Sequence, residues 1–186
     1  MNSRFIFTVN SLDDEALCAQ RFTEFLEKRK LAVSCAESAT CGLVAKLLTD
    51  RAGSSAWYWG GAETYANDAK KKILGVPSEI LDDVSVGPVS LQCAAAMADG
   101  MRALSDTDLA LSVTGIAGPS GAEPGKPVGT VYFGFSSSFR KTETIRVLVK
   151  ASSRDEYRRK FASACLTLAL AYAKGEALID IASRWV

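Results

Sequence analysis

The chain has 186 residues, of which 48% are hydrophobic and 23% charged, and it contains no histidine. This length is sufficient for one domain with a full hydrophobic core, and the composition excludes an intrinsically disordered chain. The formal net charge of +1 gives no bulk attraction to a polyanion, so no nucleic-acid partner is expected.

The first part of the chain alternates amphipathic and apolar segments. Hydrophobic periodicity predicts a helix over 13–29, a buried strand over 31–36 and a helix over 39–53. The aromatic segment 56–66 favours a strand with a bend at its two glycines. These segments predict strands and helices in alternation.

Two short helices and one long helix are expected next. Asn67 is expected to cap a helix that ends before Gly75, and a second short helix is expected to begin at Pro77. The alanine-rich segment 88–104 then predicts a long helix.

The second half of the chain supplies the remaining strands. Segment 108–114 predicts a buried strand, which a glycine-rich loop follows. The segments VGTVYFGF and ETIRVLV are expected to pair antiparallel, and a long helix over 152–173 precedes a short helical tail. Helices that alternate with buried strands predict an α/β fold, a single-domain layered α/β/α sandwich with a mixed sheet. We assign one domain to 1–186, with its core at about 13–173.

The five cysteines do not form a metal-binding or disulfide pattern. Their number is odd, no two are spaced C-x-x-C, and no histidine is present to complete a zinc site. We therefore expect reduced thiols in a cytoplasmic protein without a bound metal. The N-terminus does not resemble a signal peptide, and the longest apolar segment, 161–173, is too short to span a membrane.

The glycine-rich loop GPSGAEPGKP does not match the common nucleotide-binding motifs. Its spacing differs from that of a Walker A loop, and Pro127 stands where that loop requires Ser or Thr. No G-x-G-x-x-G follows a strand, and a Ser-His-Asp triad is impossible without histidine. For Cys35 and Cys41, a buried structural role is favoured over that of a nucleophile, which would need a base or a strongly positive setting.

Polar residues follow predicted strands at the positions where α/β proteins bind ligands. Ser38 either caps the following helix or presents its hydroxyl to a ligand. Thr114, Gly115 and Gly118 begin the glycine-rich loop, which is either a long turn or a nest of backbone N–H groups for an anion. Arg154, at the start of the last long helix, either reaches back to a phosphate or lies in solvent.

Lys70 is the candidate general base, because histidine is absent. Near the start of a helix and beside Lys71 and Lys72, its ammonium faces the positive end of the helix dipole and two like charges. Burial would lower the pKa further, as a lysine base for a serine nucleophile requires. Tyr65 precedes it by five residues. The spacing alone favours a solvated lysine over a base.

Together these segments resemble the C-terminal domain of the CinA family of competence/damage-inducible proteins. The block TGIAGPSGAEPGKPVGTVYFGF is close to the family's T-G-I-A-G-P…K-P-V-G-T-V, and CAESATCG is close to A-E-S-C-T-G-G. The segment GSSAWYWGGAETYANDAKKKILGVP is similar to G-S-S-A…T-Y-S-N-x-A-K…L-G-V. The resemblance runs from about residue 13 to 173, and it implies the stand-alone form, without the molybdopterin-type N-terminal domain of longer members.

The resemblance implies a nicotinamide mononucleotide deamidase, which hydrolyses the carboxamide to nicotinate mononucleotide and ammonia without a cofactor. The family's serine–lysine chemistry, helped by a tyrosine, corresponds to Ser38, Ser55, Lys70 and Tyr65. We favour Ser55 as the nucleophile and assign to Ser38 the binding of substrate or the orientation of other groups.

The resemblance also implies a small-molecule nucleotide as partner, held by the loop. Thr114 and Arg154 are then expected to hold the 5′-phosphate together with loop amides of Gly115 and Gly118. We expect a homo-oligomer, with a dimer favoured, and no membrane association.

Departures from the family pattern leave two alternatives open. Ala39 and Cys41 stand where the family has cysteine and glycine, Ala66 replaces a serine, and Gly87 replaces a serine expected to cap a helix. The Cys41 side chain is expected to narrow the loop. The alternatives are a catalytically weak or inactive nucleotide-binding, regulatory paralogue and an amidase for a different small amide.

Overall fold

Six strands form one mixed sheet in this computed structural model, which describes residues 7–9 and 14–185. The strands are β1 (Phe7–Val9), β2 (Val33–Glu37), β3 (Tyr58–Glu63), β4 (Leu109–Gly115), β5 (Thr130–Ser137) and β6 (Glu143–Val149). Their order across the sheet is β1-β6-β5-β4-β2-β3. The β4–β5 and β5–β6 pairs are antiparallel and the other pairs are parallel, which confirms the predicted mixed sheet.

Helices cover both faces of this sheet. They are α1 (Glu15–Arg29), α2 (Leu43–Thr49), α3 (Asn67–Leu74), α4 (Ser78–Leu81), α5 (Leu91–Ser105), α6 (Arg154–Lys174) and α7 (Leu178–Ala182), with 3-10 helices at Ser54–Ala56 and Ser183–Trp185. Helices α1, α2 and α6 pack on one face, and α3, α4 and α5 lie on the other. The predicted layered α/β/α sandwich is therefore confirmed.

Strand alternation divides the hydrophobic core between the two faces. In β4, Leu109, Leu111 and Val113 belong to the larger apolar core beneath α1 and α6. Ala110, between them, belongs to the smaller core beneath α5. Successive side chains of a strand point to opposite faces, so a nearly continuous apolar run is buried on both sides.

Close packing against α5 fixes the short helix α3, which carries Lys70. A Cβ at Gly100 of α5 would lie 1.9 Å from the carbonyl oxygen of Leu74, the last residue of α3. Only glycine allows this approach of the two backbones. The position of α3 therefore depends on a residue far away in the sequence.

Helix α2 begins later and ends earlier than the predicted helix over 39–53. It starts at Leu43, because Cys41 and Gly42 have φ angles of 47° and 88° and form a turn. It ends at Thr49, and a short 3-10 helix follows. Hydrophobic periodicity carries no information about backbone φ angles, so it could not predict this turn.

The starts of α3 and α5 also differ from prediction. Ala66, rather than Asn67, is the N-cap of α3, and no side chain caps this helix. Helix α5 begins at Leu91 after Ser90, whose hydroxyl accepts a hydrogen bond from the backbone N–H of Cys93.

Two predictions concern the N-terminal region. The predicted first helix agrees with α1, although its first expected residue, 13, lies outside the described residues, as does most of the segment considered for a signal peptide. In the described part of the chain, no helix combines the length and the apolar character needed to cross a bilayer.

Candidate active site

A cavity of about 240 Å³ opens beyond the carboxyl ends of β2, β3 and β4. These three strands are mutually parallel, so the segments that follow them meet at one edge of the sheet. All predicted site residues except Ser55 line this cavity: Ser38, Tyr65, Lys70, Thr114, Gly115, Gly118 and Arg154.

The Lys70 amine is enclosed by three polar neighbours, and the residue is only 1% exposed. Its Nζ donates to the carbonyl oxygens of Thr64 at 2.8 Å and Tyr65 at 2.9 Å, and it lies 3.1 Å from Ser38 Oγ. A neutral amine has two N–H donors and one lone pair. The two carbonyls therefore suit its donors, and its lone pair is left for the Ser38 hydroxyl.

Burial lowers the pKa of Lys70, because the charged ammonium is desolvated. A negative charge on Cys93 would raise the pKa of Lys70, but burial raises the pKa of the Cys93 thiol itself to about 11. At neutral pH Cys93 is therefore uncharged and does not compensate an ammonium at Lys70. The neighbouring Lys71 and Lys72 are exposed, so the main cause of the lowered pKa of Lys70 is desolvation and not repulsion from these like charges.

Ser38 follows β2 directly and does not cap a helix. The N-cap of α2 is Gly42, four residues further on, which removes the capping role considered for Ser38. The backbone N–H of Ser38 donates to the carbonyl of Val113 at 3.0 Å, which ties it to the end of β4. Ser38 is 9% exposed, and its hydroxyl lies between Lys70 and the cavity.

The glycine-rich loop forms the opposite wall. Thr114 donates its hydroxyl hydrogen to the carbonyl of Pro88 at 2.7 Å, so this hydroxyl is already engaged. Ala117 and Gly118 line the cavity, and within the described residues no acceptor binds either backbone N–H. Such free donors suit an anionic oxygen.

Arg154 and Tyr65 meet at the rim of the cavity. The Arg154 guanidinium donates to the carbonyl of Gly118 at 2.6 Å and to the Tyr65 hydroxyl at 3.2 Å. Tyr65 is 59% exposed, whereas its own carbonyl is one of the two that hold Lys70. One tyrosine thus connects the rim of the site with its buried amine.

Ser55 does not belong to this site, so the preference for it as nucleophile is wrong. It is exposed in the 3-10 helix that precedes β3, at the amino-terminal end of that strand. The six residues of β3, at about 3.3 Å each, separate it from the cavity edge by ~20 Å. The GSSAW segment instead buries Trp57, whose indole N–H donates to the carbonyl of Leu48.

The departures from the family pattern affect the site unequally. Ala39 lines the cavity. Cys41 is exposed, so the buried role favoured for it is wrong, and it is not among the residues that line the cavity. Ala66 occupies a helix N-cap without a capping side chain. The change at Gly87 costs no cap, because Ser90 caps α5 and donates its hydroxyl to the Gly87 carbonyl.

Several cavity residues escaped sequence analysis because only folding brings them to the site. Asn67, at the first position of α3, and Val89, before α5, line the cavity. Glu123 reaches it from the glycine-rich loop and pairs with Lys126 at 3.4 Å. Val89 and Glu123 lie in loops, which give no periodic signal, whereas Asn67 falls within the family motif around Lys70, which was the available signal for it. Among the described residues, no group of three or more cysteine or carboxylate side chains is arranged to hold a metal ion.

The fold and these residues define an α/β/α domain with a serine–lysine pair at the carboxyl edge of its parallel strands. The sequence matches the model of the CinA C-terminal domain over residues 15–173. The chain therefore belongs to the CinA C-terminal domain family.

Relatives and solved structures agree with this assignment. A CinA-like protein of Geobacter sulfurreducens is 44% identical over 147 residues, which are 74% of this chain and 35% of that protein. The chain spans about a third of the length of the curated relatives it matches. The competence/damage inducible protein CihA of Agrobacterium tumefaciens has a TM-score of 0.81 and 38% identity, covering 86% of this chain and 96% of its own. The competence damage-inducible protein A of Klebsiella pneumoniae has a TM-score of 0.81 and 31% identity, covering 87% and 98%.

Proposed function

We propose that this protein is a nicotinamide mononucleotide deamidase that uses Ser38 and Lys70. The observation that carries the proposal is the 3.1 Å contact between Ser38 Oγ and the buried Lys70 Nζ beside the cavity. A serine hydroxyl becomes a nucleophile when an adjacent base accepts its proton. The choice of a nicotinamide nucleotide as substrate rests on the resemblance to the family.

In the proposed reaction, Ser38 Oγ attacks the carboxamide carbon while its proton passes to Lys70 Nζ. The free N–H groups of Ala117 and Gly118 are the candidate donors to the oxyanion. The C–N bond then breaks, and the departing nitrogen takes the proton held by Lys70, directly or relayed through the Tyr65 hydroxyl, and leaves as ammonia. Water next attacks the acyl-enzyme, Lys70 accepts the proton, and Ser38 is regenerated.

Arg154 is the proposed ligand of the 5′-phosphate. Its guanidinium is bound to a neutral carbonyl and a phenol rather than to a carboxylate, so an anionic group can replace them. Thr114 was expected to bind the 5′-phosphate, but its hydroxyl hydrogen is already donated to the carbonyl of Pro88. We assign Thr114 to holding the segment before α5 rather than to donating to phosphate.

Purified protein incubated with nicotinamide mononucleotide tests the proposal through the release of ammonia. Ser38→Ala and Lys70→Arg should each lower kcat by about 10²–10⁴-fold, because arginine cannot accept a proton at working pH. Ser55→Ala and Lys71→Ala are matched controls and should change kcat less than about twofold. Near-normal turnover by Lys70→Arg would show that Lys70 supplies only positive charge, and the mechanism would be wrong.

Ala39 supports a second candidate, an amidase for a different small amide. This residue lines the cavity where the family pattern has the larger cysteine, so the pocket differs in shape. A panel of nucleotide and riboside amides distinguishes the two substrates. Tight binding of nicotinamide mononucleotide with no ammonia from any amide would instead indicate a non-catalytic nucleotide-binding protein.

A further inference from the structure

The turn that carries Ser38 into the site has an unfavourable backbone conformation. Between β2 and α2, Cys41 has a φ of 47° and Gly42 a φ of 88°. A non-glycine residue in the left-handed region costs about 1–2 kcal/mol. Such a conformation persists only where the surrounding structure enforces it. The contacts that enforce it therefore bear directly on the position of Ser38.

A buried carboxylate at the end of β2 holds the turn. Glu37 is 1% exposed and accepts hydrogen bonds from the backbone N–H groups of Val44 at 3.0 Å and Ala45 at 2.8 Å. Because the N-cap Gly42 has no side chain, this carboxylate takes over the capping of α2. Among the described residues it forms no ion pair, so the N–H groups and the helix dipole are its main compensation.

An arginine of α6 also holds the turn. The Arg158 guanidinium donates to the carbonyl of Thr40 at 2.7 Å. Arg154, one helical turn earlier, donates in the same way to the carbonyl of Gly118 in the glycine-rich loop. The two arginines thus hold the two loops that enclose the cavity.

The charges along α6 distinguish these two arginines from their neighbours. Arg159 pairs with Glu15 at 2.9 Å and with Asp155 at 2.8 Å, and Lys160 pairs with Glu156 at 2.8 Å. Within the described residues, neither Arg154 nor Arg158 has a carboxylate partner. The Arg158 charge therefore gains no ion pair in the described part of the chain. Its contact with Thr40 is the interaction that explains it.

We propose that Glu37 and Arg158 are positioning residues, which together clamp the turn 38–42 and so hold Ser38 on Lys70. Neither lines the cavity, so both act through the backbone of the turn. The role in turnover rests on the proposed amidase function, whereas the clamp itself does not. Loss of either contact lets the strained turn relax and moves the Ser38 hydroxyl away from the amine.

The kinetic test compares Arg158→Ala and Glu37→Gln with Arg159→Ala, the ion-paired neighbour on the same helix. A misplacement of about 1 Å costs about 10²-fold in rate, so the first two should lower kcat by about that factor with KM nearly unchanged. Arg159→Ala should leave both constants within about twofold. Added guanidinium, far below denaturing concentrations, should restore part of the kcat of Arg158→Ala, which a general loss of stability would not allow.

Hydrogen exchange tests the clamp without any need for activity. Backbone N–H groups of Val44 and Ala45 should exchange at least about tenfold faster in Glu37→Gln and Arg158→Ala than in the wild type and Arg159→Ala. Unchanged exchange there, or a kcat of Arg158→Ala equal to that of the wild type, overturns the proposal. If the wild type releases no ammonia while the exchange result holds, the amidase function fails and the clamp stands. If Glu37→Gln does not fold, Arg158→Ala decides.

Discussion

The protonation state of Lys70 can be measured through stability, independently of catalysis. The perturbation is Lys70→Met, which removes the amine from a residue that is 1% exposed while keeping an unbranched side chain of similar length. The variant loses the hydrogen bonds to Ser38, Thr64 and Tyr65. The lost hydrogen bonds lower the free energy of unfolding by a similar amount at every pH. The test is therefore how the difference in this free energy between the wild type and Lys70→Met changes with pH.

The sign of the effect follows from the lowered pKa of Lys70. Between the lowered folded value and the unfolded value of about 10.4, the unfolded chain binds more protons than the folded one. The stability of the wild type relative to Lys70→Met therefore rises with pH across this window, by up to about 1.4 kcal/mol per pH unit. The thiol of Cys93, with a pKa of about 11, stays protonated through most of the same window.

Urea unfolding of both proteins at several pH values between about 6 and 9.5 provides the measurement. The free energy of unfolding of the wild type minus that of Lys70→Met should increase with pH. Taking this difference cancels the contributions of titrating groups that do not interact with Lys70. A difference that stays constant over the whole range would falsify the lowered pKa. Lys70 would then be an ordinary ammonium in the folded protein and could not serve as a base near neutral pH.

Two further predictions concern the helix that carries Lys70 and the rim of the cavity. Ala66→Ser should raise the free energy of unfolding by about 0.5–2 kcal/mol, because it supplies the missing N-cap side chain of α3. Thermal unfolding should show a Tm that is higher by about 2–4 °C for each kcal/mol. An unchanged Tm would mean that a serine does not cap the helix there. Arg154→Ala should weaken binding of nicotinamide mononucleotide by about 1.5–3 kcal/mol and that of the phosphate-free riboside much less, as measured by calorimetry. Equal losses for both ligands would exclude Arg154 from the phosphate site.

The sequence allowed the architecture and most of the candidate site to be predicted. The architecture follows from apolar periodicity, and the site follows from the direction of the strands that this periodicity locates. Apolar periodicity located β2 and β4, and the rule that ligands bind beyond the carboxyl ends of parallel strands brought Ser38 and Thr114 to one edge. Applied consistently, the same rule excludes Ser55, which precedes β3 instead of following it. The motif GSSAW matches the family pattern, but the direction of β3 places it at the opposite edge of the sheet.

Turn geometry and long-range contacts were beyond such signals. The left-handed residues Cys41 and Gly42 delay the start of α2, and no periodic pattern marks them. The contact of Arg158 with Thr40 joins residues 118 positions apart, and nothing local to either residue indicates it. These features depend on how α6 packs, which is decided by the complete core.

The buried amine shows how local and long-range contributions combine in this site. A helical side chain points back toward the N-terminus, so a lysine four positions into α3 reaches the segment that precedes it. The carbonyls of Thr64 and Tyr65 are therefore provided by the same short segment, 64–70, as Lys70 itself, and they orient two of its donors. Its third neighbour, Ser38, comes from the turn that follows β2, 32 positions away. A chemical change at Lys70 should thus alter basicity, whereas a change in the turn 38–42 should alter only how well the nucleophile meets that base.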